Sequence, residues 1–175
     1  MQKDLKAMLR DAVRGFHLPK YQDIPDVGLY LEQTVQYICG IYSCLGDDLL
    51  TGSMVGNYVK KDLIANPVKK RYNREQIAYL IFIAIGKLVL SMDDLLLMVE
   101  IQQRTYPSEI AYEYFRQELG NVLRFVFGST GELDALGVDA PDEKIMLRNV
   151  IITAAHKLYL DQLFLALREE TGKTN

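Results

Sequence analysis

A chain of 175 residues, half of them apolar and a quarter charged, has the composition of a folded soluble protein with one ordinary domain or two small lobes. Its formal net charge of −3 excludes a protein that binds nucleic acid through bulk basicity, and with no Trp the aromatic mass rests on eleven Tyr and six Phe. Cys39 and Cys44 lie five apart in one helical stretch and on different faces of it, which predicts no disulfide between them and a reducing compartment.

In chain order, nearly every segment has helical period and none alternates long enough to insist on a strand. Leu5, Met8, Leu9, Ala12, Val13 and Phe16 predict a helix over 2–15 with one apolar face, ended by Gly15 and Pro19. The opening MQKDLKAMLRDAVRGF lacks the apolar centre of a signal peptide. "LPKYQDIPDVG" reads as a loop, and 29–45 as a second helix closed by Gly46, Asp47 and Asp48. A short helix over 51–61 follows, with Thr51 as N-cap, Met54, Val55 and Tyr58 facing inward, and Ser53, Asn57, Lys60 and Lys61 facing outward.

After a loop over 65–72, Asn73 and Gln76 form a capping box for a helix over 74–90 that is apolar on all sides and therefore buried. Its longest uncharged run, Ile77 to Gly86, is half a membrane span, so a cytoplasmic protein without membrane contact is the expectation. Ser91 caps a helix to about Arg104, with Asp94 at its third position. Tyr106-Pro107-Ser108 marks a lobe boundary, followed by a helix over 108–127 and a linker. A helix of nearly thirty residues closes the chain over 141–170, with Asp139 as cap and Pro141 near its first turn.

Little in the sequence points to catalysis or metal binding. His17 and His156 stand apart from any Cys or carboxylate cluster, and His156 reads as a core or half-buried helix histidine. The pairs Asp47-Asp48, Asp93-Asp94 and Glu169-Glu170 sit at helix ends, where carboxylates complement the helix dipole or stay solvated. The glycines are scattered rather than gathered in a phosphate loop. The expectation is a protein that is not an enzyme and holds no metal and no cofactor. Tyr106, Tyr112 and Tyr114 read as packing or interface groups rather than a platform for bases.

Charge is distributed unevenly. Between Thr51 and Gln76, six cations face two acids, a balance of +4 that leaves −7 for the rest of the chain. A positive patch on an acidic body attracts a polyanion to one face. The outward side of the short helix is small and polar, so it can approach a groove closely.

The run MVGNYVKKDLIANPVKKRYNREQIAYLIFIAIGKLVLSMDDLLLMV resembles the DNA-binding domain of MerR-type regulators. Tyr58 falls at the tyrosine of that family's recognition helix, Leu63, Ile64 and Pro67 at its aliphatic pair and proline, and Arg71 and Tyr72 at the end of its basic wing. Asn73, Ile77 and Leu80 match the start of the next helix, and Ser91, Asp93, Asp94 and Leu95 the last one. Asp62 stands where the family has glycine, which asks for a different turn, and the wing is shorter and glycine-free. The chain also looks like an uncharacterised Gram-positive bacterial family, a domain of unknown function, over 18 to about 125.

The resemblance implies an all-α fold: an N-terminal helix and loop over 1–28, a MerR-like winged helix-turn-helix lobe over 29–106, and a helical C-terminal lobe over 107–175 for dimerisation or effector binding. It implies a dimeric transcriptional regulator that binds double-stranded DNA. Thr51, Ser53 and Asn57 would belong to the DNA-binding surface, with Ser53 and Asn57 nearest the bases, Lys60, Lys61, Lys69, Lys70 and Arg71 on phosphates, and Tyr72 packing the wing. The 141–170 helix is the dimer candidate, because Val150, Ile151, Ala154, Leu158 and Leu163 exceed what one neighbouring helix covers. A small-molecule effector in the C-terminal lobe is compatible with this reading. The alternative is a helical protein-interaction module that keeps the fold without binding DNA.

Overall fold

The computed structural model describes residues 2–46, 49–135, 141–170 and 172. These residues form seven α-helices: α1 (Gln2–Ala12), α2 (Leu31–Tyr42), α3 (Gly52–Lys60), α4 (Arg74–Gly86), α5 (Met92–Thr105), α6 (Ser108–Val126) and α7 (Asp142–Glu170). Two short strands, β1 (Leu29–Tyr30) and β2 (Arg71–Tyr72), pair antiparallel with Leu29 opposite Tyr72 and Tyr30 opposite Arg71. The expected all-helical architecture therefore carries one small ribbon. The second helix begins two residues later than its periodicity predicts, because Tyr30 is extended (φ −68°, ψ 161°) and serves as N-cap. Its N–H donates to Gln33 Oε1 at 3.0 Å, and Thr34 Oγ1 donates back to the Tyr30 carbonyl at 3.0 Å.

Helix α4 is the hub, as an all-apolar helix must be. Ile77, Leu80, Ile81, Ile83, Ala84 and Ile85 are fully buried, and the helix packs on α2, α6 and α7. Each such isoleucine or leucine contributes about 2 kcal/mol on burial. The buried Tyr42 hydroxyl donates to the Ile81 carbonyl at 2.8 Å, which fixes α2 against the hub.

One continuous buried cluster joins Leu9 and Val13 of the N-terminal segment, the α4 core, and Phe115, Ile151 and Leu158 of the C-terminal helices. Helix α7 lies against α1, α4 and α6, which cover part of its apolar surface and leave Leu160, Phe164 and Leu165 exposed. Val150, Ile151, Ala154 and Leu158 are covered by the chain's own helices, and Leu163 is half-buried. By length and composition α7 could cross a membrane. It nonetheless carries Arg148 paired to the buried Glu118 of α6, an ion pair inside the protein. Both cysteines are free.

Two side chains depart from expectation. Met8 is 48 % exposed, while Leu9 and Val13 take the buried positions of this segment. His156 is exposed rather than buried, on the outward side of α7 beside Lys157. The expected closing aspartates Asp47 and Asp48 and the cap Asp139 lie outside the described residues.

Candidate nucleic-acid interface

Helix α3 begins where its sequence says it should. The Thr51 hydroxyl accepts the Met54 N–H at 3.2 Å, so Thr51 serves the site as a cap, with its side chain turned to its own helix. Val55 and Tyr58 are buried, while Ser53, Gly56, Asn57, Lys60 and Lys61 are exposed. This spacing gives one apolar row against the core and one row of small or long polar groups toward solvent.

The helix ends on a pair of hydrogen bonds that close its last carbonyls. Leu63 N–H reaches the Tyr58 carbonyl at 2.9 Å and Asp62 N–H the Val59 carbonyl at 3.1 Å, the Schellman pattern. Asp62 sits at φ +59°, the left-handed position that glycine fills without strain. Buried Leu63 and Ile64 then hold the chain to the core.

The basic loop is a tight hairpin. Val68 bridges Arg71, with Arg71 N–H donating to the Val68 carbonyl at 2.9 Å. The two central residues, Lys69 and Lys70, have φ +49° and +64°. Positive φ at both positions is the type I′ pattern that Asn-Gly normally fills. Holding lysines there costs about 1 kcal/mol per residue. Both side chains are exposed at the tip.

Arg71 pairs with Tyr30 across the two-stranded ribbon and with Val68 through an isolated bridge. Its guanidinium lies 4.9 Å from the Tyr30 ring centroid, with Nη2 donating to the Tyr30 hydroxyl at 3.3 Å and Nη1 to the Val27 carbonyl at 3.5 Å. It is a brace before it is a phosphate contact, although it remains exposed. Gly28, at φ +77°, makes this possible: a Cβ there would come within 3.0 Å of the Arg71 Cβ. Tyr72 is only 4 % exposed, so it anchors the hairpin from behind and does not face solvent. Burial raises its phenol pKa, as it does for Tyr58.

Gln76 joins these parts. Asn73 Oδ1 accepts the Gln76 N–H and Gln76 Oε1 accepts the Asn73 N–H, both at 2.9 Å, completing the expected capping box. Gln76 Nε2 also donates to the Ala65 carbonyl at 2.8 Å, tying the loop that leaves α3 to the first turn of α4. Arg74 is committed elsewhere, with Nε donating to the Ile24 carbonyl at 3.0 Å and Nη1 3.7 Å from Asp26.

Of the six cations between 51 and 76, Lys60, Lys61, Lys69 and Lys70 are thus exposed and have no carboxylate partner among the described residues. Ser53 and Asn57 likewise have no side-chain hydrogen bond within the described fold. The arrangement offers free cations and neutral donors and acceptors on rigidly capped elements. Among the described residues no three His, Cys, Asp or Glu side chains gather as metal ligands. Sequence reasoning missed Gly28 and Tyr30 as the support for Arg71. A glycine placed before two β-prone residues was the available signal.

No curated protein and no solved structure matches the chain. Residues 19–115 match the family model described as Domain of unknown function (DUF1836), a span that takes in the ribbon, α3, α4 and α5 and stops at Phe115 within α6. That match covers more than half of the chain, which therefore belongs to the DUF1836 family.

Proposed function

We propose that this chain is a DNA-binding transcriptional regulator of MerR-like type, dimeric on paired half-sites, with residues 29–106 as the winged helix-turn-helix part. Helix α3 enters the major groove with Ser53 and Asn57 toward base edges. Lys60, Lys61, Lys69 and Lys70 hold phosphates, Arg71 stiffens the wing and adds its charge, and Thr51 and Tyr72 keep helix and hairpin in place.

The observation that carries this reading is the Lys69–Lys70 tip. Glycine or asparagine would relax a type I′ turn, yet two lysines occupy both left-handed positions. Local strain of this kind is kept where the side chains at the strained positions have work to do. Four unneutralised cations predict an affinity that falls on the order of a hundredfold between about 50 and 200 mM salt, taking roughly 0.9 in slope per phosphate.

A second reading, a protein-interaction module, is favoured by one feature. Val27 and Val68, 80 % and 74 % exposed, flank the hairpin and would suit an apolar partner better than a phosphate backbone. Selection from a random pool of duplex DNA separates the two. The regulator reading expects a recurring motif, and a pool without enrichment after several rounds would sink it in favour of the module.

A further inference from the structure

Helices α4, α5 and α6 and the first turns of α7 enclose a cavity of about 550 Å³, lined by Tyr79, Phe82, Met98, Tyr112, Tyr114 and Phe115 among others. That volume falls within the range of roughly 300–1,000 Å³ typical of small-molecule sites. Its walls come from rigid helices, and the Phe82–Phe115 edge-to-face pair (5.4 Å, 89°) fixes part of the floor.

The tyrosine hydroxyls around it divide sharply. Tyr79 donates to Gln102 Oε1 at 2.7 Å and Tyr112 to the Pro19 carbonyl at 2.9 Å. The Tyr114 hydroxyl is shut off from solvent and has no hydrogen-bond partner among the described residues. Folding leaves this donor unsatisfied at a cost, which marks it as a group held for something else. Lys144 lies across its ring with Nζ 5.0 Å from the centroid and no other side-chain partner, so its long side chain can swing away and admit a ligand atom to the hydroxyl.

The charge of the lining excludes an anion, since Glu75, Glu109, Glu113 and Glu143 face a single cation, Lys144. The Glu75 carboxylate already accepts from the Ser108 hydroxyl. Burial alone would raise the Glu113 pKa, but the Tyr21 N–H at 2.7 Å and Arg116 at 2.7 Å outweigh it and hold the carboxyl below its ordinary value.

We infer that this pocket binds an apolar molecule without negative charge, whose hydrogen-bond acceptor, such as a carbonyl oxygen, takes the Tyr114 hydroxyl. The site requires no DNA and stands apart from the regulator reading. Fluorescence titration of the full chain with Nile red, a neutral carbonyl-bearing dye, tests it. The expected result is saturable binding of one dye per chain, weakened about tenfold by Tyr114→Phe, the equivalent of about 1.4 kcal/mol for one hydrogen bond. Because that variant removes an unsatisfied buried hydroxyl, its melting temperature stays level or rises while binding falls. A purely structural tyrosine would not separate the two in that way. Ala111→Phe, which fills the cavity, abolishes binding, whereas Phe164→Ser on the exposed face of α7 leaves it unchanged. Non-saturable binding, an unaffected Tyr114→Phe variant, or loss on Phe164→Ser alone would overturn the inference. Equal binding of anionic anilinonaphthalene sulfonate would overturn the exclusion of anions.

Discussion

Gln76 on α4 reaches back eleven residues to the Ala65 carbonyl, 2.8 Å away, while also closing the capping box with Asn73. One 7 %-exposed side chain thus sets both the start of the hub helix and the exit of the loop behind α3. Gln76→Leu removes the two side-chain hydrogen bonds, leaving the Asn73 N–H and the Ala65 carbonyl unmet. It should cost about 2–3 kcal/mol in chemical denaturation, combining the loss of a cap with a stranded carbonyl. A change below about 0.5 kcal/mol, the ordinary scatter for a surface substitution, would contradict this role.

The hairpin tip predicts opposite effects on stability and binding. Lys69→Asn/Lys70→Gly relaxes both left-handed positions and should stabilise the fold by about 1–2 kcal/mol. The same change removes two of the free cations and weakens affinity for DNA. A double variant of unchanged or lower stability would show that the turn is not strained in solution.

Local signals were legible in the sequence and contacts between distant segments were not. Thr51, Asn73 with Gln76, and Ser91 with Asp94 all cap as their spacing implied, because each cap involves residues three apart. The ribbon escaped notice because each strand has two residues and its pairing spans some forty positions of chain. Arg71 read as a free cation for the same reason: its braces, Val27 and Tyr30, lie across that pairing. Helix α7 read as carrying more apolar residues than one neighbour covers, and period could not show that α1, α4 and α6 take part of that face while Leu160, Phe164 and Leu165 stay exposed. The cavity beside Tyr114 depends on how four helices meet, which no single segment encodes.

Glu118 and Arg148 form a buried pair between α6 and α7, with side chains 7 % and 11 % exposed, and Arg148 also donates to the Asp134 carbonyl. Arg148→Met strands a carboxylate and should destabilise by about 3 kcal/mol or more. Glu118→Leu/Arg148→Met should recover most of that loss, because replacing both ions removes the unpaired charge. A double variant as unstable as the single would mean that packing, not charge, sets the cost.

Lys87 follows α4 with its Nζ 3.6 Å from Met54 Sδ on the inner side of α3, and burial lowers its pKa, while Cys39 nearby acts weakly the other way. The folded state therefore holds the charged form less well than the unfolded chain. Between the lowered value and about 10.4, the unfolded state binds more protons, so stability gains with rising pH. The penalty is complete below the lowered pKa. Lys87→Met should thus exceed wild type in stability near neutral pH, and the gap should close toward pH 10. The buried tyrosines, whose raised pKa values act in the opposite sense at higher pH, are common to both proteins and cancel in the difference. A gap that is constant with pH would contradict the assignment.

The central claim is that the free lysines of α3 and the hairpin tip meet phosphate. The salt dependence of the dissociation constant, measured on a selected duplex for wild type and Lys69→Ala/Lys70→Ala, tests it most directly. A steep log–log slope is expected for wild type and a slope smaller by about 2 for the variant, close to 0.9 for each lost contact. Equal slopes for the two proteins would contradict it.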